Sequence, residues 1–272
     1  MSRRIKALVL CGYGLNCDME TAHALELAGA HAERIHINSV IDGSVRLADY
    51  QIMVFVGGFS WGDDHGAGVV QAVRMKKHAG ENILQFVADG NLVLGICNGF
   101  QSLVNLGLLP GFDDNYQDRR VALTFNDCGN FRDDWVHLQI NEQSPCVFTT
   151  GLARMELPIR HGEGKFVADD SVIERLASEN LVVCRYARAD GRPADGSFPD
   201  NPNGSMDDIA GICDPTGRVF GLMPHPEAFN HPTNHPDWPR FRERSKRGDA
   251  KPQVSLTTGI RLFKNSLAFL GR

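Results

Sequence analysis

The sequence predicts an α/β protein: a doubly wound, mostly parallel central sheet flanked by helices, with additional antiparallel strands in the second half. Three observations carry this. Strand-like apolar runs alternate with helical periodicity as far as Leu109. One of those runs, Ile52 to Val56, is fully apolar, as a central strand of a parallel sheet is, and Asn91 to Ile96 is a further short apolar strand. After Pro110-Gly111 the texture changes to short pieces separated by turn residues, the pattern of antiparallel pairing.

In order, Lys6 to Leu10 is the first strand, ended by Gly12-Tyr13-Gly14. Asp18 caps a helix carrying Ala22, Leu25 and Ala28, which Gly29 stops. Arg34 to Ile37 is a second strand and Ile52 to Val56 a third. Helix over Val69 to Ala79 and Ile83 to Val87 precedes the Asn91 to Ile96 strand. A helix from about Gly99 then sets Leu103, Val104 and Leu106 on one face. Beyond Leu109, strand pieces are expected at Val121 to Phe125, Trp135 to Ile140, Pro145 to Thr149, Met155 to Ile159, Lys165 to Ala168 and Leu181 to Tyr186. Ser171 caps a helix through Leu176, and Ile209 to Cys213 with Val219 to Met223 makes a hairpin. Leu256 to Phe269 closes the chain as an amphipathic helix. With no linker in view, residues 1–272 read as one domain bearing a polar, proline-rich surface insertion at about 229–254.

Composition narrows the function. Of 272 residues, 42% are hydrophobic and 22% charged, which is ordinary for a soluble globular chain. A formal charge of -5 supplies no basic field for nucleic acid. No apolar run nears the roughly 18 residues of a membrane span. The basic start Met1 to Lys6 runs into too short an apolar stretch for a signal peptide and reads as the first strand. Seven scattered cysteines with no Cys-x-x-Cys pair are read as reduced thiols, so a cytoplasmic location is expected.

The chemistry centres on Gly95-Ile96-Cys97-Asn98-Gly99. One cysteine stands at the turn from an apolar strand into a helix, with glycines two residues before and after it. This is the cysteine form of the nucleophile elbow, where only glycine leaves room on either side of the turn. A thiol at a helix N-terminus is also biased toward the thiolate that attacks. The stretch Gly57-Gly58-Phe59-Ser60-Trp61-Gly62-Asp63 follows the preceding strand, and its backbone N–H groups suit an oxyanion hole. A cysteine nucleophile needs a base, and the base an orienting group. In Pro224-His225-Pro226-Glu227, His225 precedes a proline and is therefore extended, which sets Glu227 on the same face. His161-Gly162-Glu163-Gly164 is a rival pair on a more flexible segment, read as a pocket-lining or partner-facing loop. Zinc binding by His231, His235 and His225 lacks a further ligand at the usual spacing, so no metal is expected; Asp63-Asp64-His65 reads as a loop cluster.

With the Gly-Gly-Phe-Ser-Trp-Gly-Asp, Gly-Ile-Cys-Asn-Gly-Phe-Gln and Pro-His-Pro-Glu stretches in this order, the chain resembles the class I (triad) glutamine amidotransferases, whose fold is flavodoxin-like. Leu15-Asn16-Cys17-Asp18, Ile159 to Gly164, Asn201-Pro202-Asn203-Gly204-Ser205 and Ile209 to Ile212 bring it nearest the glutaminase subunits of phosphoribosylformylglycinamidine synthase. The resemblance implies that Cys97 attacks the glutamine carboxamide, His225 moves protons and Glu227 orients it. It implies an oxyanion hole from Gly58 and Asn98, and glutamine contacts from Phe59, Ser60 and Gln101. L-glutamine is then the substrate, and ammonia passes to an ATP-dependent large subunit, with or without a small bridging subunit. No cofactor is implied in this chain, ATP and magnesium belonging to the partner. Ala228 stands where such chains commonly carry arginine. From the residues alone, a cysteine hydrolase on the same scaffold, another class I amidotransferase and a non-catalytic regulatory subunit remain open.

Overall fold

The computed structural model describes residues 4–248 and 257–271. The first half alternates strictly: β1 (Lys6–Cys11), α1 (Asp18–Ala28), β2 (His31–His36), α2 (Ile37–Ile41), β3 (Ile52–Phe55), α3 (Val69–Ala88), β4 (Leu92–Ile96) and α4 (Asn98–Leu106). The second half runs β5 (Val121–Phe125), β6 (Arg132–Ile140), β7 (Arg154–His161), β8 (Glu163–Ala168), α5 (Asp170–Ser178), β9 (Val182–Ala187), β10 (Ile209–Cys213) and β11 (Val219–Leu222). Helices α6 (Trp238–Lys246) and α7 (Thr258–Leu270) follow.

A nine-stranded sheet has the order β2-β1-β3-β4-β11-β10-β9-β6-β7, and β5 pairs β8 separately. From β2 to β11 neighbours are parallel, and from β11 to β7 they are antiparallel. Strands β3 and β4 are buried throughout, matching their unbroken apolar sequences, whereas edge strand β2 is polar and largely wet. The crossover from β1 to β2 and that from β3 to β4 step in opposite directions across the sheet. Right-handed connections therefore put α1 and α3 on opposite faces, with the switch point between β1 and β3. The loops leaving those two strands are tied together there, Phe59 N–H donating to Gly14 O at 2.8 Å and Trp61 N–H to Tyr13 O at 2.7 Å. The crevice at this switch is where an open α/β sheet binds its ligands.

Several elements differ in detail from the sequence reading. Strand β2 starts at His31 rather than Arg34, and α2 was not expected. Its short turn buries Ile37 and Val40, and the His36 ring accepts from Asn38 N–H at its start. Helix α3 runs unbroken through Gly80, because Met75, Ala79, Ile83 and Phe86 bury one continuous face. Instead of a strand, residues Val147–Thr149 form a buried 3₁₀ turn. Asp169 rather than Ser171 occupies the N-cap of α5. The pair His161 and Glu163 is not on a flexible loop: His161 ends β7 and Glu163 begins β8. Over 230–248 most side chains are exposed, but His235 is buried against Trp135, ring centroids 4.5 Å apart, and near Phe229. Residues 249–254 and Leu256 lie outside the described residues.

Candidate active site

The register explains how one cysteine and one histidine distant in sequence become neighbours. Strands β4 and β11 are adjacent and parallel, with Leu222 beside Ile96, so both chains leave the sheet side by side. Cys97 N–H donates to Leu222 O at 2.8 Å, and two residues after Met223 comes His225, its N–H on Pro158 O at 2.8 Å. Cys97 adopts φ 51° and ψ -108°, a left-handed conformation that costs a non-glycine residue on the order of 1–3 kcal/mol. The elbow holds it there because the turn is too tight to relax. A Cβ on Gly99 would stand 1.9 Å from Phe55 O, so α4 approaches β3 as closely as backbone allows. The thiol is 4% exposed and its Sγ lies 3.5 Å from Arg160 O.

His225 and Glu227 are 1% and 0% exposed. His225 is extended, φ -106° and ψ 90°, as a residue before proline must be, and Nδ1 is 2.6 Å from Glu227 Oε1. In the neutral ring that contact puts the proton on Nδ1 and leaves Nε2, which has no partner among the described residues, as the acceptor. Burial pulls the imidazole's pKa down, but the Glu227 charge and then that of an ionised Cys97 outweigh it, and the net shift is well upward. The ring is packed against Gly57, where a Cβ would come within 2.7 Å of Cε1. Such an arrangement can take a proton from a thiol and return it to a leaving amine.

Around this centre, the Gly58 N–H has no backbone acceptor among the described residues, and the Asn98 N–H lies in the unpaired first turn of α4. Asn98 Nδ2 donates to Asp63 Oδ1 at 3.0 Å and to Gln101 Oε1 at 3.2 Å. The other end of Gln101 donates to Glu163 O. Both ends of Gln101 are thus taken, so it braces the pocket wall rather than offering a free amide. Ser60 is buried, its hydroxyl without a partner among the described residues, while Phe59 is 46% exposed and faces Phe131 across 6.1 Å.

His161 is buried, and its protonation is dictated by Asn126. Asn126 Nδ2 donates to His161 O and Asn130 O, so Oδ1 is the acceptor and His161 Nδ1 carries the hydrogen. Burial first and the His225 charge second lower His161 to about 3, so it is neutral, with Nε2 unpartnered. The Asn201 to Ser205 stretch supports the same wall: Asn203 Nδ2 donates to Gly164 O at 2.8 Å, and Ser205 Oγ accepts from Phe166 N–H at 3.0 Å.

Three features escaped the sequence reading. Asp63, taken as part of a loop cluster, bonds the residue after the candidate nucleophile, and its pKa is raised to about 6 by burial and then by the Glu163 charge. Asn126 sets the His161 tautomer. Cys17 lies behind the imidazole, Sγ 3.9 Å from Nδ1. A fixed offset signals none of these, since each is brought in by tertiary packing. Of the histidines considered for zinc, His231 is exposed and His235 sits 3.0 Å from the Glu156 carboxylate; among the described residues they form no donor group with His225.

Residues 4–270 match the family model for the CobB/CobQ-like glutamine amidotransferase domain. The chain is 43% identical over 268 residues to the phosphoribosylformylglycinamidine synthase subunit PurQ of Methanococcus maripaludis, covering 98% of each. It is 47% identical over 236 residues to PurQ of Dehalococcoides mccartyi, covering 87% of this chain and 90% of that one. It superposes on a chain in the structure of PurLQS from Thermotoga maritima with a TM-score of 0.70 at 29% identity, covering 98% of this chain and 100% of that one.

Proposed function

The chain belongs to the CobB/CobQ-like glutamine amidotransferase family, and on that premise we propose that it is the glutaminase subunit of a phosphoribosylformylglycinamidine synthase. It releases ammonia from L-glutamine for an ATP-dependent synthetase partner, in the cytoplasm. The observation that carries the chemistry is Cys97, just past β4, interacting with an imidazole in the segment after β11 whose Nδ1 is held at 2.6 Å by Glu227. Near-complete coverage in both directions against phosphoribosylformylglycinamidine synthase subunits supports the pathway step.

In this reading His225 Nε2 takes the Cys97 proton, and the thiolate attacks the carboxamide carbon. Gly58 and Asn98 N–H groups face the oxyanion of the tetrahedral intermediate. The His225 proton goes to the leaving nitrogen, ammonia departs, and a glutamyl thioester remains. Water, deprotonated by the same imidazole, then releases glutamate and restores the thiol. Glu227 stabilises the imidazolium formed in each half. Phe59, Ser60 and the Gln101-braced wall line the glutamine pocket, and Asp63 with Glu163 supplies carboxylates for the substrate ammonium. This chain contributes no cofactor to the cycle; ATP and magnesium act on the partner.

The reading is tested by supplying the chain and its synthetase partner with glutamine, ATP, magnesium and formylglycinamide ribonucleotide. Glutamate and amidine formed in step support it. Amidine formation from added ammonium but never from glutamine contradicts it, as does hydrolysis of peptides or esters in preference to glutamine. In the same assay Asp63→Asn is expected to raise KM for glutamine about tenfold, the worth of one charge-assisted contact. Because Asp63 ionises near 6, kcat/KM should fall as pH drops through that value, and the variant should lose this limb.

A further inference from the structure

Cys17 is a buried thiol beside the His225 ring for which glutamine hydrolysis has no use. It is 7% exposed, at the N-cap of α1, and its N–H is fixed to Gly57 O at 3.2 Å. Its Sγ lies 3.9 Å from His225 Nδ1, and the Cys17, His225 and Glu227 donor atoms all fall within 4.8 Å of one another. Independently, the second carboxylate oxygen of Glu227, Oε2, is buried with no partner among the described residues. A thiolate, an imidazole nitrogen and a carboxylate oxygen are each zinc ligands, and three protein ligands leave the fourth tetrahedral position to water. Bond lengths of about 2.3 Å to sulfur and about 2.0–2.1 Å to nitrogen and oxygen set tetrahedral donor separations of roughly 3.5 Å for S–N and 3.3 Å for N–O. The S–N distance is nearly right as it stands. The 2.6 Å contact from Nδ1 to Oε1 is a hydrogen bond, which ligation must break by removing the shared hydrogen before either carboxylate oxygen can reach the metal.

We propose that Cys17, His225 and Glu227 bind a zinc-class divalent cation, and that its occupancy switches the site off. Cys17 releases its proton to solvent on ligation. The imidazole gives the Nδ1 lone pair to the metal: an imidazolium releases its Nδ1 proton to solvent and keeps the one on Nε2, and a neutral ring moves its one proton from Nδ1 to Nε2. Nε2 then donates instead of accepting and has no lone pair for the Cys97 proton. One cation thus reverses the tautomer that Glu227 enforces. Metal binding stands on these three side chains alone, whereas the loss of turnover rests on the proposed glutaminase function.

The test separates the two. In Cys97→Ser protein, which lacks the competing thiol, Co²⁺ titrated under a non-thiol reductant should give a near-ultraviolet thiolate charge-transfer band that Zn²⁺ abolishes. The band should be absent from Cys97→Ser carrying Cys17→Ser, and from the Cys17→Ala counterpart, each matched to its parent by thermal melting. No band in the parent, or an equal band in the double variants, overturns the site. In the complex with the synthetase, Zn²⁺ should suppress glutamine turnover reversibly by chelation, and Cys17→Ser should need at least roughly tenfold more metal for the same loss. Equal sensitivity of the two proteins overturns the switch. Metal-free wild-type turnover, measured first, reports on the glutaminase reading separately.

Discussion

Replacing Cys97 with alanine is expected to lower glutamine hydrolysis at least about 10,000-fold, the scale of removing a covalent nucleophile from a triad-type site. The loss should fall on kcat, because the pocket walls are built from other residues. Gln101, Asn98 and Glu163 are bound to one another and do not depend on the sulfur. The fold should survive. The elbow is held by backbone, with Cys97 N–H on Leu222 O and Gly99 against Phe55, and alanine keeps the Cβ that the turn already accommodates. A melting temperature within a few degrees of wild type, with hydrolysis abolished, is the expected pair of results. Retained turnover would remove Cys97 from the mechanism. In the complex, the same variant should still form amidine from added ammonium, since only the supply of ammonia is lost.

Exchanging Glu227 for glutamine is expected to reduce kcat about 100- to 10,000-fold with KM changed by less than about threefold. Glutamine preserves shape and an acceptor oxygen near Nδ1, so the variant removes charge more than contact. The sign of the pH effect follows from the forces on His225. Burial lowers its pKa, and the Glu227 charge is the largest influence opposing that burial. Without it the imidazolium deprotonates at lower pH. The protonated ring that must donate to ammonia is then lost earlier, and the alkaline limb of the pH–rate profile moves to lower pH. A purely architectural role for Glu227 would scale the profile down without moving that limb. The two results together separate an electrostatic partner from a packing one.

What could be read ahead of the structure was whatever a short stretch dictates by its own stereochemistry. The elbow is such a case: Gly95, Cys97 and Gly99 are needed at fixed offsets because the turn excludes side chains, and Gly99 does meet Phe55 O. His225 and Glu227 are another, since a residue before proline is extended and its i+2 neighbour shares its face. The buried strand β3 was equally open to reading, because burial on both faces removes polar alternation. What stayed hidden was set by tertiary approach. Cys17 reaches His225 because the β1–α1 loop closes over the switch point onto Gly57. Asp63 joins the pocket through Asn98, and Asn126, just past β5, fixes His161 at the end of β7. Helix α2 is too short for periodicity to reveal. The reading of His161 and Glu163 as a flexible pair overlooked that Gly162 joins the ends of two strands, where Asn126 and Asn203 hold the backbone rigid.

The central claim is that one sulfur, Cys97, carries the glutamyl group while Cys17, on the other side of the same imidazole, carries none. The most direct measurement is mass spectrometry of peptides from protein quenched in acid during turnover of glutamine. A glutamyl adduct confined to the Cys97 peptide, formed and lost at rates matching glutamate release, is the predicted result. An adduct on the Cys17 peptide, or glutamate accumulating with no adduct on either, would contradict the account.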